Sequence, residues 1–141
     1  MKIKKQKYWY GIGTKWNIGK NSIEKYKKYY VEHIEKCSDY YESLAKKNLG
    51  HSVRHTLLIH HSLLNALFLE DLIQMYKKKG WKIISAQEAF RDPIFERMPK
   101  TVPAGESLLW MIDRETGKSN LRYPAEGEKY EKDAMDQLGL W

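Results

Sequence analysis

A chain of 141 residues, 42% hydrophobic and 30% charged, has the size and balance of one folded domain, which excludes collagen-like and low-complexity classes. Its single cysteine, Cys37, excludes an internal disulfide framework. No apolar run is long enough to span a membrane, and the basic N-terminus lacks the apolar core of a signal peptide, so the chain reads as cytoplasmic. The net charge of +7 comes from the first third alone: residues 1–50 hold twelve lysines against five acidic residues, and residues 51–141 are balanced.

Residues 1–20 mix lysines with Tyr8, Trp9, Tyr10 and Trp16 and read as an irregular basic and aromatic segment. Cations and rings of this kind can engage nucleic acid, but no recognition motif accompanies them, and nucleic-acid binding is not expected. Gly11-Ile12-Gly13 lacks the strand, third glycine and helix start of a phosphate loop. Asn21 with Glu24 predicts a helix start. Ile23, Tyr26, Tyr30, Ile34, Cys37, Tyr41 and Leu44 then trace one face of a long amphipathic helix ending near Gly50. His33 and Cys37 are four apart, a spacing that could share a metal. With no second pair nearby, they read as a packed cysteine and a histidine at the polar edge.

Thr56-Leu57-Leu58-Ile59 is a short continuous apolar run that predicts a strand buried on both faces, and Trp81-Lys82-Ile83-Ile84 predicts a second. Between them, Ser62 as cap, an apolar face from Leu64 to Tyr76, and Gly80 as terminator predict a helix from about Ser62 to Lys79. Strand, helix and strand in this order form a βαβ unit with parallel pairing and a right-handed crossover. The expected fold class is therefore α/β. His60 falls at the carboxyl end of the first strand, where an imidazole can face a cleft and exchange a proton near neutral pH. Ser85 to Glu88 predicts a second capping box and a short helix stopped by Pro93. Residues 98–105 read as a turn-rich connection, Glu106 to Ile112 as an unassigned apolar segment, and Asp113 to Trp141 as loop closing on a turn of helix.

Leu57-Leu58-Ile59-His60-His61-Ser62-Leu63-Leu64-Asn65-Ala66-Leu67-Phe68-Leu69 resembles the last motif of polysaccharide deacetylases of the NodB type, a leucine-rich strand ending in His. Tyr30 to Ile34 and Tyr40 to Ala45 resemble the helix before that motif. Gly80-Trp81-Lys82, Ala89 to Pro93, Pro103 to Leu108 and Arg122-Tyr123-Pro124 resemble the segments after it. The resemblance runs from about residue 20 to the C-terminus, so residues 21–141 read as the C-terminal portion of such a domain. It implies a distorted β/α barrel, here a partial (β/α) barrel fragment of few parallel strands with covering helices. It also implies hydrolysis of acetyl groups on carbohydrate by water activated on a divalent metal, usually zinc. By position, His60 corresponds to the general acid that protonates the departing amine, and Leu58 to the leucine that lines the acetyl-methyl pocket.

The family's first motif, Thr-Phe-Asp-Asp-Gly, which supplies the base and a metal-binding Asp, is absent from the sequence. His51-Ser52-Val53-Arg54-His55 matches the family's metal-binding His-Ser/Thr-x-x-His literally. It lies directly before the last motif instead of much earlier, and it reads as a polar turn between helix and strand. The chain is therefore expected to hold no metal or other cofactor and to be inactive alone. If completed by the missing portion, it would act on an acetylated polysaccharide or sugar. The alternative is a non-catalytic carbohydrate- or protein-binding domain. A fragment with few strands leaves one sheet edge open and apolar, which favours self-association and no membrane partner.

Overall fold

A computed structural model describes residues 20–101, 106–117, 121–123 and 127–140. The described residues form five α-helices: α1 (Lys20–Leu49), α2 (Leu63–Lys78), α3 (Ala86–Ala89), α4 (Leu108–Thr116) and α5 (Glu128–Gln137), with a 3₁₀ turn at Pro93–Glu96. The segment expected to be irregular over residues 1–20 lies outside the described residues, except for Lys20, which opens α1.

The long first helix is the spine of the molecule, ~45 Å at 1.5 Å per residue. Its predicted capping box is not used as such. Asn21 lies inside the helix, and Glu24 pairs with Lys27 at 2.8 Å. Gly50, at φ +79°, ends the helix where the sequence places the stop. Along α1 the buried residues fall into two clusters. Tyr30 and Ile34 pack with Phe68, Leu72 and Tyr76 of α2, and Leu44 and Ala45 pack with Ile94 of the 3₁₀ turn and Leu109 and Ile112 of α4. At ~100° per residue the buried positions 30, 34, 44 and 45 fall within roughly 100° of one another, so they share one face of the helix. The second cluster therefore lies further along that face, roughly 15 Å toward the C-terminal end of the helix.

The second helix begins and ends as its residues dictate. Ser62 Oγ accepts the amide of Asn65 at 3.3 Å. At the other end the amides of Gly80 and Trp81 return to the carbonyls of Lys77 and Tyr76 at 3.0 and 2.9 Å. This is a Schellman ending, and its hydrophobic contact is the Tyr76–Trp81 ring pair, with centroids 5.4 Å apart. Lys79 Nζ then ties this end of α2 to Glu35 and Asp39 of α1 at 2.9 and 2.8 Å.

The α/β reading is overturned. Among the described residues the chain contains no β-strand, and hence neither a parallel sheet, a partial (β/α) barrel nor a sheet edge. The two runs read as strands, Thr56–Ile59 and Trp81–Ile84, are free of helix, turn and bend, but neither pairs. Burial on both faces was the premise of the strand reading, and a continuous apolar run carries no periodicity that tests it. Here Leu57, Leu58 and Ile59 are 51%, 84% and 37% exposed. The apolar face of α2 packs on α1 instead of crossing a sheet.

The C-terminal region is also more regular than expected. Glu106 to Ile112 contains the start of α4, capped by Ser107 Oγ on the Trp110 amide at 3.1 Å, and α5 lies in what read as loop. Tyr26 and Tyr29 of α1 donate to the carbonyls of Leu140 and Glu131 at 2.8 and 3.3 Å, holding the C-terminal region against the first half of the spine. No described helix is long and apolar enough to cross a membrane.

Candidate functional site

His60 and Leu58 stand on the unbent run between α1 and α2, and both are exposed. The run is tethered at each end. At its exit the Asn65 side-chain amide donates to the His60 carbonyl, while Asn65 Oδ1 accepts the Tyr30 hydroxyl from α1. Asn65 therefore fixes the His60 main chain against the spine and leaves the imidazole to solvent. No interaction of that imidazole occurs among the described residues. The sequence assigns Asn65 no role of its own, because that role depends on Tyr30, thirty-five positions away. Replacing Asn65 by alanine is expected to cost about 1–3 kcal/mol, since it strips a buried tyrosine hydroxyl of its acceptor. Urea unfolding measures that loss.

At its entry the run is held by acids of two elements. Glu42 of α1 accepts from Ser52 Oγ, from His55 Nε2 at 2.8 Å and from Lys46 Nζ at 3.0 Å. The amide of Arg54 donates to Asp92 Oδ2 at 2.8 Å, and its Nη1 donates to the Glu88 carbonyl at 3.0 Å. The His55 ring lies 5.4 Å from that of Trp81, so the two unpaired runs begin side by side. Glu42 belongs to the face of α1 that reads as solvated, which concealed this cluster in the sequence.

Burial pushes the Glu42 carboxyl up, but the hydrogen bonds from Ser52, His55 and Lys46, with the charge of Lys46, outweigh it and hold its pKa at about 2 against an ordinary 4.5. A folded-state pKa below the unfolded value means that the native state binds the proton less tightly. The stabilisation is complete above about pH 4.5 and is lost as pH falls through about 2. Glu42→Gln is expected to remove about 2–3 kcal/mol of this acid-labile stability. The urea midpoint should therefore fall less between pH 5 and pH 3 in the variant than in the parent chain.

The residues that match a metal motif do not fit a metal site. His55 is engaged by Glu42, and His51 Nδ1 lies 2.8 Å from the Ser52 carbonyl. Both stand at the entry of the run, and five extended residues place His55 roughly 15 Å from His60. Cys37 Sγ lies 3.7 Å from His33 Nε2, which Glu131 of α5 approaches at 3.4 Å. Among the described residues no group of three or more His, Cys, Asp and Glu side chains is arranged to hold a metal ion. A shallow cavity of about 350 Å³, lined by Arg97, Met98, Ile112 and Glu115 among others, is formed by other elements than the run carrying His60.

Comparison with known proteins gives no relative: no family model matches the chain, and no curated protein or solved structure is similar enough to count as a match.

Proposed function

We propose that this chain is the acid-bearing portion of a carbohydrate deacetylase site, inactive alone and completed by polypeptide that brings the base and the divalent metal. The observation that carries this reading is the exposed, unengaged imidazole of His60 at the tethered end of an apolar run. A general acid needs a titratable group that can reach the leaving atom, on a main chain that does not move away from it. His60 delivers its proton to the departing amine nitrogen as the acyl carbon–nitrogen bond breaks. Leu58, two residues earlier, falls on the same side of an unbent chain, where it offers an apolar surface to the acetyl methyl.

The substrate class is an acetylated polysaccharide or sugar. Acetate release from an N-acetylated oligosaccharide tests the reading, measured for the chain alone and after co-expression with a polypeptide bearing the Thr-Phe-Asp-Asp-Gly motif. Release is expected from the combination only. Release by the chain alone, or none by the combination, would overturn it.

A non-catalytic binding domain is the second reading, favoured by the exposure of Leu57, Leu63, Leu67 and Phe90 as well as that of Leu58. It predicts retention of an oligosaccharide or protein partner with no acetate released.

A further inference from the structure

Between its two tethers the run from Thr56 to Ile59 has no backbone partner: none of its N–H or C=O groups is hydrogen-bonded among the described residues. The same holds for Lys82 to Ile84. Water can satisfy these polar groups but not the three large apolar side chains beside them, and such a patch on a soluble surface marks an interaction site. The run is also held straight. Arg54 and His55 are bound to Asp92 and Glu42 at one end, and the His60 carbonyl is bound to Asn65 at the other.

Straightness, free backbone groups and apolar side chains thus coincide in one short segment. A sugar or a lipid would meet only one of these features. An extended peptide meets all three, because its alternating N–H and C=O groups pair with the run while its side chains cover the leucines. From His55 to Leu69 there is no Asp, Glu, Lys or Arg, so no charge in the run opposes an incoming strand. Two copies of a chain with net charge +7 repel one another, whereas a neutral or acidic polypeptide does not.

We infer that Thr56–Ile59 is a strand-addition site that takes an extended, apolar, proline-free segment of a second, neutral or acidic polypeptide. The inference rests on the composite-site reading for the identity of that polypeptide, which is the one that completes the site. Its docking mode rests on the geometry alone.

Hydrogen exchange on the intact chain tests it, with a short synthetic peptide of alternating valine and threonine, flanked by glutamates, as the probe. The peptide is expected to slow exchange at alternate amides of the run, those of residues 56 and 58 that face one edge, by at least about tenfold. The same peptide with every central amide N-methylated is expected to leave them unchanged. Leu58→Pro, which removes one of the run's own donors at an exposed position, is expected to abolish the slowing without altering exchange in α1 and α2. Equal slowing by both peptides, slowing by neither, or amides already slow in the free chain would overturn the inference. So would slowing that appears without peptide as the chain is concentrated, because the occupant would then be a second copy. Acetate is not measured, so failure of the deacetylase reading and failure of strand addition are separate results.

Discussion

Replacing His60 by alanine is expected to lower acetate release from the completed site by ~10²–10⁴-fold, the range for loss of a positioned general acid. The fall should appear in kcat, because a proton delivered as the carbon–nitrogen bond breaks stabilises the transition state and not the bound substrate. His61 provides the internal control. It is also exposed and adjoins the same helix start, but it stands at the bend that ends the run, outside the stretch that carries His60 and Leu58, and His61→Ala should leave the rate within about twofold. Stability should hardly change in either variant, since neither imidazole has an interaction among the described residues. Unchanged kcat in His60→Ala, with urea unfolding as in the parent, would remove His60 from the chemistry.

Trp110→Ala is expected to destabilise the fold by about 3–5 kcal/mol, the usual cost of emptying a large aromatic site. Trp110 is 1% exposed and is the largest fully buried side chain described. Its Nε1 donates to the Arg122 carbonyl at 2.8 Å, and its ring lies 5.9 Å from that of Tyr123. That hydrogen bond steadies the segment whose Arg122 guanidinium lies over Tyr40 and Tyr130, 4.5 and 4.8 Å from the ring centroids. Loss of the indole therefore leaves a cavity and slackens the link between α1 and α5. Against a total stability of about 5–15 kcal/mol the change is severe. Trp110→Phe keeps most of the volume but loses the donor, and about 1–2 kcal/mol is expected from it. Urea midpoints followed by circular dichroism measure both variants, and a midpoint unmoved in Trp110→Ala would show that α4 is not packed as described.

What the sequence made legible was punctuation. Ser62, Gly80, Gly50 and Ser85 mark helix ends because a capping oxygen or a left-handed φ is a local requirement that few residues meet. The apolar runs at 56–59 and 81–84 were misread, because hydrophobicity without periodicity cannot say whether neighbours exist to bury it. The fourth helix escaped because its apolar residues, Leu108 to Ile112, run unbroken and its exposed polar ones, Arg114 to Thr116, follow together, so no alternation sets a period. The fifth escaped for the opposite reason, as Met135 is its one deeply buried residue. At the candidate site, His60 was visible from its place at the end of an apolar run. Asn65 and Glu42, which hold that run in position, were not, because their partners are assembled only by the fold.

The spine carries its two apolar clusters toward different ends, with α2 on one and α4 on the other. Neither covering helix needs the other to stay docked, so each is a separate lid hinged on a shared rod. In such an arrangement thermal opening proceeds in pieces. The α4 region can detach while α1 and α2 remain zipped and α5 stays tied to the spine through Tyr26 and Tyr29, presenting a protease with a cuttable loop and an intact hairpin. The half that survives is the one that keeps His60 in place.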